Sequence, residues 1–274
     1  MHYTQLGRSG LKVSRLILGT MNIGWTTPAD EGKQLLDRSL ELGINVIDTA
    51  NMYGGPSGPG ATETIIGEWF AQGGDRREKS VLATKVHNVM APFGSPEAWP
   101  NESKLSALHI RRACEASLKR LQTDYIDLYQ MHHVDRNTPW EEIWEAFSVL
   151  RQEGKVLYFG SSNFAGWHLV EAQAAAKEMG MFGLVSEQSM YSLLRRTVEL
   201  EVLPAAIKHG IGVIPWSPLT GGLLGGVLDN SLRALDIELD DTVLTRLDEI
   251  FPGPGGAPEN GVRKKHFAPE AYAW

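Results

Sequence analysis

Asp48, Tyr53, Lys85 and His132 are the side chains of this sequence whose types and spacing suit proton chemistry. Asp48 closes Asn45-Val46-Ile47, a short apolar run that reads as a buried parallel strand. A carboxylate there calls for a cation, because a buried unpaired charge is costly. Lys85 offers one at the end of the next strand-like run, Ser80-Val81-Leu82-Ala83-Thr84-Lys85. Tyr53 follows Asp48 in a loop rich in Gly and Pro, Gly54 to Gly60. A phenol beside an ammonium is drawn toward phenolate from its usual pKa of about 10, which suits it to pass a proton. The run from Asp124 ends in His132, an imidazole able to hydrogen-bond an oxygen. Each residue alone also has a plainer reading. Lys85 could reach solvent, Tyr53 could be a packing aromatic, and His133 could be the working imidazole instead of its neighbour.

Something must bring these strand ends together. Residues 3 to 13 read as a hairpin, with a turn at Gly7-Arg8-Ser9-Gly10, and Ser14 to Gly19 as the first apolar strand. Thr27-Pro28-Ala29-Asp30 reads as a helix start, with Thr27 as N-cap and Pro28 in the first helical position. That helix stops at Gly43. The same pattern recurs at Gly154, Gly180 and Gly210: a helix ends in glycine, and an apolar strand follows within a few residues. Thr138-Pro139-Trp140-Glu141 opens another helix. Strands begin near residues 14, 45, 80, 124, 156, 184 and 211, apolar on both faces and separated by helices, so the chain is a βαβ series. Polar residues mark six strand ends: Asp48, Lys85, His132, Asn163, Gln188 and Ser217. An open sheet uses only the crevice where strand order reverses. In a (β/α)8 barrel every strand end faces one site, so the expected fold is an α/β TIM barrel with an N-terminal β-hairpin.

The chain has 274 residues, matching a single barrel of about 250. Its net charge of −7 argues against a nucleic-acid surface. The N-terminal residues do not resemble a signal peptide, and no apolar stretch reaches membrane-spanning length, so no membrane partner is expected. With Cys114 as the single cysteine no intrachain disulfide can form, which fits a reducing cytoplasm.

The eighth strand is missing from the pattern. After Trp216-Ser217-Pro218-Leu219 the chain runs through Thr220 to Asn230 directly into the helix-like Ser231-Leu232-Arg233-Ala234-Leu235. Either the barrel is truly incomplete between about 226 and 231, or residues that the protein carries there are left out of this sequence. An open barrel would leave two strand edges exposed.

Several segments together resemble the aldo-keto reductases, especially bacterial members and the related potassium-channel β subunits. They are Leu6-Gly7-Arg8-Ser9-Gly10-Leu11-Lys12-Val13-Ser14, Gly43 to Ala50 with Tyr53, Thr84-Lys85, Asp127 to His132, Gly160-Ser161-Ser162-Asn163-Phe164 and Trp216-Ser217-Pro218-Leu219. They occur in the family's order across residues 3 to 226. The resemblance implies a (β/α)8 barrel that reduces carbonyls with a nicotinamide cofactor, NADP(H) first and NAD(H) as the alternative. The segment that would grip the adenosine phosphate is the one missing, so the sequence does not decide between them.

By this resemblance Asp48, Tyr53, Lys85 and His132 form the catalytic set, with Tyr53 as the proton donor. Ser162, Asn163 and Gln188 resemble the residues that bind the nicotinamide carboxamide. Trp216 takes the place of the aromatic that stacks on its ring, although an isolated tryptophan is more often core. Ser217, Pro218, Leu219, Thr220 and Gly221 resemble the pyrophosphate loop, and Gly19, Thr20 and Met21, with Asp48, line the cofactor in relatives. The insertion from Asn88 to Ser103 carries Phe93 and Trp99, which with Trp25, Met52 and Tyr53 suggest an apolar wall for an aldehyde or ketone. The same side chains could instead pack the loop on the barrel. A regulatory subunit that senses cofactor with little turnover is the competing function. A hydrolase or isomerase would need a metal cluster or paired carboxylates at the strand ends, and the sequence shows neither.

Overall fold

The computed structural model describes residues 1–91, 99–220, 237, 239–251 and 253. Strands β1 (Tyr3–Gln5) and β2 (Lys12–Ser14) form the expected antiparallel hairpin. Seven parallel strands follow: β3 (Leu18–Gly19), β4 (Val46–Asp48), β5 (Val81–Val86), β6 (Ile126–Met131), β7 (Val156–Ser162), β8 (Leu184–Met190) and β9 (Gly212–Trp216). Each pairs with the next in chain order, with no reversal. A doubly wound sheet requires a reversal, so the arrangement is the (β/α)8-type barrel. The helices between the strands are α1 (Ala29–Glu41), α2 (Ala61–Phe70), α3 (Ala107–Leu121), α4 (Trp140–Gln152), α5 (Gly166–Glu178) and α6 (Val202–His209). A last helix, α7 (Asp241–Ile250), follows β9. The expected break between 226 and 231 lies outside the described residues.

Two layers of apolar side chains hold the helices on the strands. Tyr129 and Phe159 face outward and meet Trp144 and Phe147 of α4, with Phe147 and Phe159 stacked at 4.7 Å. Ile47 and Leu82 meet Leu36 of α1 and Ile66 and Trp69 of α2. A third cluster fills the barrel floor: Val46, Ala83, Leu128, Val185 and Ile214, capped by Leu6 and Val13 of the hairpin. Gly7, at φ 56°, lies so close that a Cβ there would stand 2.5 Å from Gly210 O and 2.6 Å from Gly212 N. Only glycine permits both that conformation and that approach.

Local expectations need three corrections. The first barrel strand is only Leu18–Gly19, because Ser14 belongs to the hairpin. Its N–H donates to Asn45 Oδ1 at 2.7 Å and its hydroxyl to Leu16 O at 2.6 Å, which turns the chain before the strand begins. At α1 and α4 the flanking residue is the proline, Pro28 or Pro139, with extended ψ, and neither helix has a side-chain cap. The Thr138 hydroxyl goes to Asp135 Oδ2 instead. The strands are also not apolar on both faces throughout. Above the floor the inner face carries Asp48, Lys85, Gln130 and Gln188, all buried.

Candidate active site

Strand alternation places the site. On β5, Thr84 points outward and Lys85 inward. Thr84 donates to Glu63 Oε1 at 2.6 Å, and Glu63, fully buried on α2, also accepts from Arg120 Nε of α3 at 2.7 Å. This paired carboxylate locks two helices behind the lysine strand. On the inner side all three hydrogen-bonding directions of the Lys85 ammonium are taken. It donates to Asp48 Oδ2 at 2.6 Å, to Thr49 O at 2.9 Å and to the Tyr53 hydroxyl at 3.4 Å. The second Asp48 oxygen accepts from Gln130 Nε2 at 3.0 Å and Gln188 Nε2 at 2.8 Å. Tyr53 is held by its backbone. Its carbonyl accepts from Gly60 N and Thr62 N, so the glycine-rich loop folds back onto it and launches α2.

His132 lies edge-on to Tyr53, with ring centroids 6.0 Å apart, and its backbone N–H donates to Val86 O. His133 stacks flat behind His132 at 5.0 Å and is exposed, with His87 edge-on to it. The imidazole in contact with Tyr53 is therefore His132.

Burial sets the electrostatics. Desolvation pulls the Lys85 ammonium down, but Asp48 and then Tyr53 more than offset it, and its pKa is raised. Desolvation raises the Tyr53 phenol; Lys85 opposes this, Asp48 adds to it, and the net shift is upward. The expectation of a phenol drawn toward phenolate is corrected: burial, which the sequence did not reveal, outweighs the lysine. Tyr53 is thus a protonated phenol beside a cation. Desolvation, Lys85 and the neighbouring imidazoles hold His132 down at about 2, so its ring is neutral.

Across the mouth, Asn163 has left-handed backbone (φ 60°) and links two strand ends. Its Nδ2 donates to His132 O at 3.2 Å and to Ser162 Oγ at 3.0 Å, while its Oδ1 accepts from Trp216 Nε1 at 3.1 Å. Ser162 Oγ donates to Gln188 O at 2.8 Å. Thr20 is buried, and both its N–H and hydroxyl go to Asp48 O. Gly19 opens onto space, with nothing within 4 Å of a Cβ placed there. Met21 is exposed, as are Ser217, Pro218 and Leu219. Thr220 closes a turn onto Ser217 O and bonds Ser192 Oγ.

The substrate wall is only partly assembled. Trp25 lies over Gly55 beside the Tyr53 loop, and Met52 meets Asn88. Trp99 is 76% exposed and makes no ring contact with Tyr53 or His132 among the described residues. Phe93 and Gly221 lie outside the described residues.

Two residues at the site were not singled out from the sequence. Gln130 bonds Asp48 directly, and Glu187 lies behind the Asn163 turn. Gln130 had a signal: it is polar within a buried strand and two residues before His132, hence on the same face.

A parallel barrel thus gathers at one mouth a phenol, an ammonium, a carboxylate and a neutral imidazole, side chains of the kinds that can exchange a proton with a ligand. The sequence matches the profile of the Aldo/keto reductase family over residues 15–229. The chain belongs to the aldo/keto reductase family and is an oxidoreductase acting on carbonyl compounds. It is 47% identical to "Uncharacterized oxidoreductase YrpG" of Bacillus subtilis, over all of both chains. That alignment runs over 339 positions, well beyond the 274 residues of this chain. It is 37% identical to a "Probable voltage-gated potassium channel subunit beta" of Arabidopsis thaliana, over all of this chain and 83% of the relative. With the "Versiconal hemiacetal acetate reductase" of Aspergillus parasiticus it shares 32% identity, over all of this chain and 85% of that protein. Among the described residues no helix is long and apolar enough to cross a membrane.

Proposed function

We propose that the protein reduces an aldehyde or ketone to an alcohol, using NADP(H), or NAD(H) in its place, with Tyr53 as the proton donor. The observation that carries this is the line Asp48–Lys85–Tyr53, with contacts of 2.6 and 3.4 Å. The mouth also fits a nicotinamide cofactor. Trp216 is pinned by its N–H and only half-buried, Gln188 Oε1 has no partner among the described residues, and Gly19 leaves open space. Ser162, Asn163, Gln188 and Trp216 would hold the nicotinamide end, with Gly19, Thr20, Met21 and the exposed Ser217-Pro218-Leu219-Thr220 turn along the remainder. When bound, the cofactor supplies the hydride for the carbonyl carbon.

The chain's own residues supply the proton. Tyr53 holds it at Oη and gives it to the carbonyl oxygen as negative charge develops there. Lys85 then stabilises the phenolate left behind, which is how the ammonium assists although the resting phenol is shifted upward. Asp48 keeps Lys85 charged and in place, and is itself fixed by two amides. Neutral His132 directs a ring N–H to the substrate oxygen and orients it. Trp25 and Met52 offer apolar surface for the substrate's remaining part.

Tyr53→Phe tests this. NADPH oxidation with a panel of aromatic and aliphatic aldehydes should fall by at least about a hundredfold while NADPH still binds. Near-normal turnover in that variant would reject Tyr53 as the acid. Likeness to the Arabidopsis channel subunit favours a second reading, a cofactor-sensing protein with little turnover. NADPH binding without oxidation by the wild type across the panel would favour it.

A further inference from the structure

Five carboxylates are buried among the described residues, and three have a cation; Asp135, in the loop after β6, is held by Leu105 N, Asn137 N and the Thr138 hydroxyl. Asp48 has Lys85, Glu63 has Arg120, and Asp127 has Arg77 at 2.8 Å. Glu187, fully buried on the outer face of β8, has none among the described residues. Its partners are all neutral donors. Ser189 Oγ donates to Oε1 at 2.6 Å, Phe164 N donates to Oε1 at 3.0 Å, and Ser161 Oγ donates to Oε2 through a short bond. Its two oxygens accept from these three donors, the Phe164 N–H among them.

The turn it grips is the one at the mouth. Phe164 N–H follows Asn163, whose left-handed backbone sends its own N–H to Gln188 O. Consecutive N–H groups of the turn are thus tied to consecutive residues of β8, Gln188 on the inner face and Glu187 on the outer. The Asn163 side chain then spans His132 O and Trp216 Nε1. Freeing Phe164 N–H would leave a buried donor unpaired and let the turn rotate, carrying Asn163 and the indole with it.

We infer that Glu187 is a positioning residue for the nicotinamide end of the cofactor site: from behind β7 and β8 its carboxylate clamps the Ser162–Asn163–Phe164 turn and so sets the orientation of Asn163 and Trp216. This rests on the reductase reading above. A glutamine at 187 could keep its oxygen on the Phe164 N–H while Ser161 Oγ turns to Ser186 O and accepts from the amide, so the variant that opens the clamp is one with no side-chain acceptor.

The test is Glu187→Leu, which leaves the Phe164 N–H without its acceptor, read by quenching of tryptophan fluorescence on titration with NADPH and by steady-state kinetics. The expected result is an NADPH dissociation constant raised about tenfold, with kcat at saturating NADPH and KM for the aldehyde within about twofold of wild type. Unchanged NADPH affinity, whatever the thermal midpoint does, would overturn the inference and leave Glu187 a packing residue. Equal losses in kcat and in both KM values would overturn it too, since they would mean general disorder of the site. Should Glu187→Leu not fold, Ser161→Ala takes its place with the same readouts and the same expected split. A wild type that binds neither NADPH nor NADH overturns the reductase reading and this inference together. A wild type that binds, alongside a variant of equal affinity, overturns the inference alone.

Discussion

Gln188 Nε2 donates to Asp48 Oδ1 across 2.8 Å, although the two residues are 140 positions apart in the chain. With Gln130 on the same oxygen, the carboxylate keeps two donors that do not depend on Lys85.

The two halves of the ion pair should therefore respond unequally to mutation. Asp48→Asn leaves the fully buried Lys85 charge without its anion, and should cost about 3–5 kcal/mol in urea unfolding. Lys85→Met leaves Asp48 with both amides, and should cost clearly less. The double variant should recover part of the Asp48→Asn loss, because no stranded charge remains. Aldehyde reduction should be lost in all three. A double variant no more stable than Asp48→Asn would show that burial of the lysine is not what the aspartate offsets.

The pH profile of reduction should lack a histidine limb. His132 is held at about 2 and so does not gain a proton in the working range. Tyr53, the required acid, is shifted up and stays protonated. Steady-state kcat/KM with an aldehyde should vary little between about pH 6 and about pH 9 and fall only at more alkaline pH. An acid limb near about 6.5 that disappears in His132→Gln would contradict the neutral imidazole.

Glu187 should make stability depend on pH in the opposite sense to an ion-paired carboxylate. Burial raises it from 4.5 to about 7. A raised folded-state value means that the native chain keeps a proton which the unfolded chain has released. Stability from this group is full below about 4.5 and is lost as pH rises through about 7. Relative to wild type, Glu187→Gln should gain up to about 3 kcal/mol on going from pH 5 to pH 8 in guanidinium unfolding. A difference that stays constant with pH would mean Glu187 does not titrate in this window.

Gly7→Ala tests the floor. The added Cβ would meet Gly210 O and Gly212 N at a backbone angle that alanine rarely adopts. A loss of more than about 2 kcal/mol is expected, with NADPH affinity unchanged because the mouth lies at the other end of the barrel. A neutral effect on the thermal midpoint would mean the hairpin does not seal the floor closely.

Much of this could be read beforehand where a residue broke the local pattern. Asp48, Lys85 and His132 stand out because each ends an apolar run, and the glycine after each helix marks where the next strand begins. Gln130 was legible once His132 was placed, since it is polar in a buried strand and lies two residues earlier on the same face. Glu187 carries no comparable mark: nothing in the residues around it says that this carboxylate has no cation. Neither the direction of the Tyr53 shift nor the proline flanks of α1 and α4 could be read from residue types. The first depends on how much solvent three-dimensional packing removes, the second on a backbone angle that differs by one residue in register.

Among the described residues, the approach of Gly7 to Gly210 and Gly212 closes the lower end of the barrel. Below the rim stand Asp48, Lys85 and Gln130, and beneath them the apolar plug of the hairpin. Whatever molecule covers that rim decides whether the column beneath it is wet or dry, and so how strongly its charges are felt.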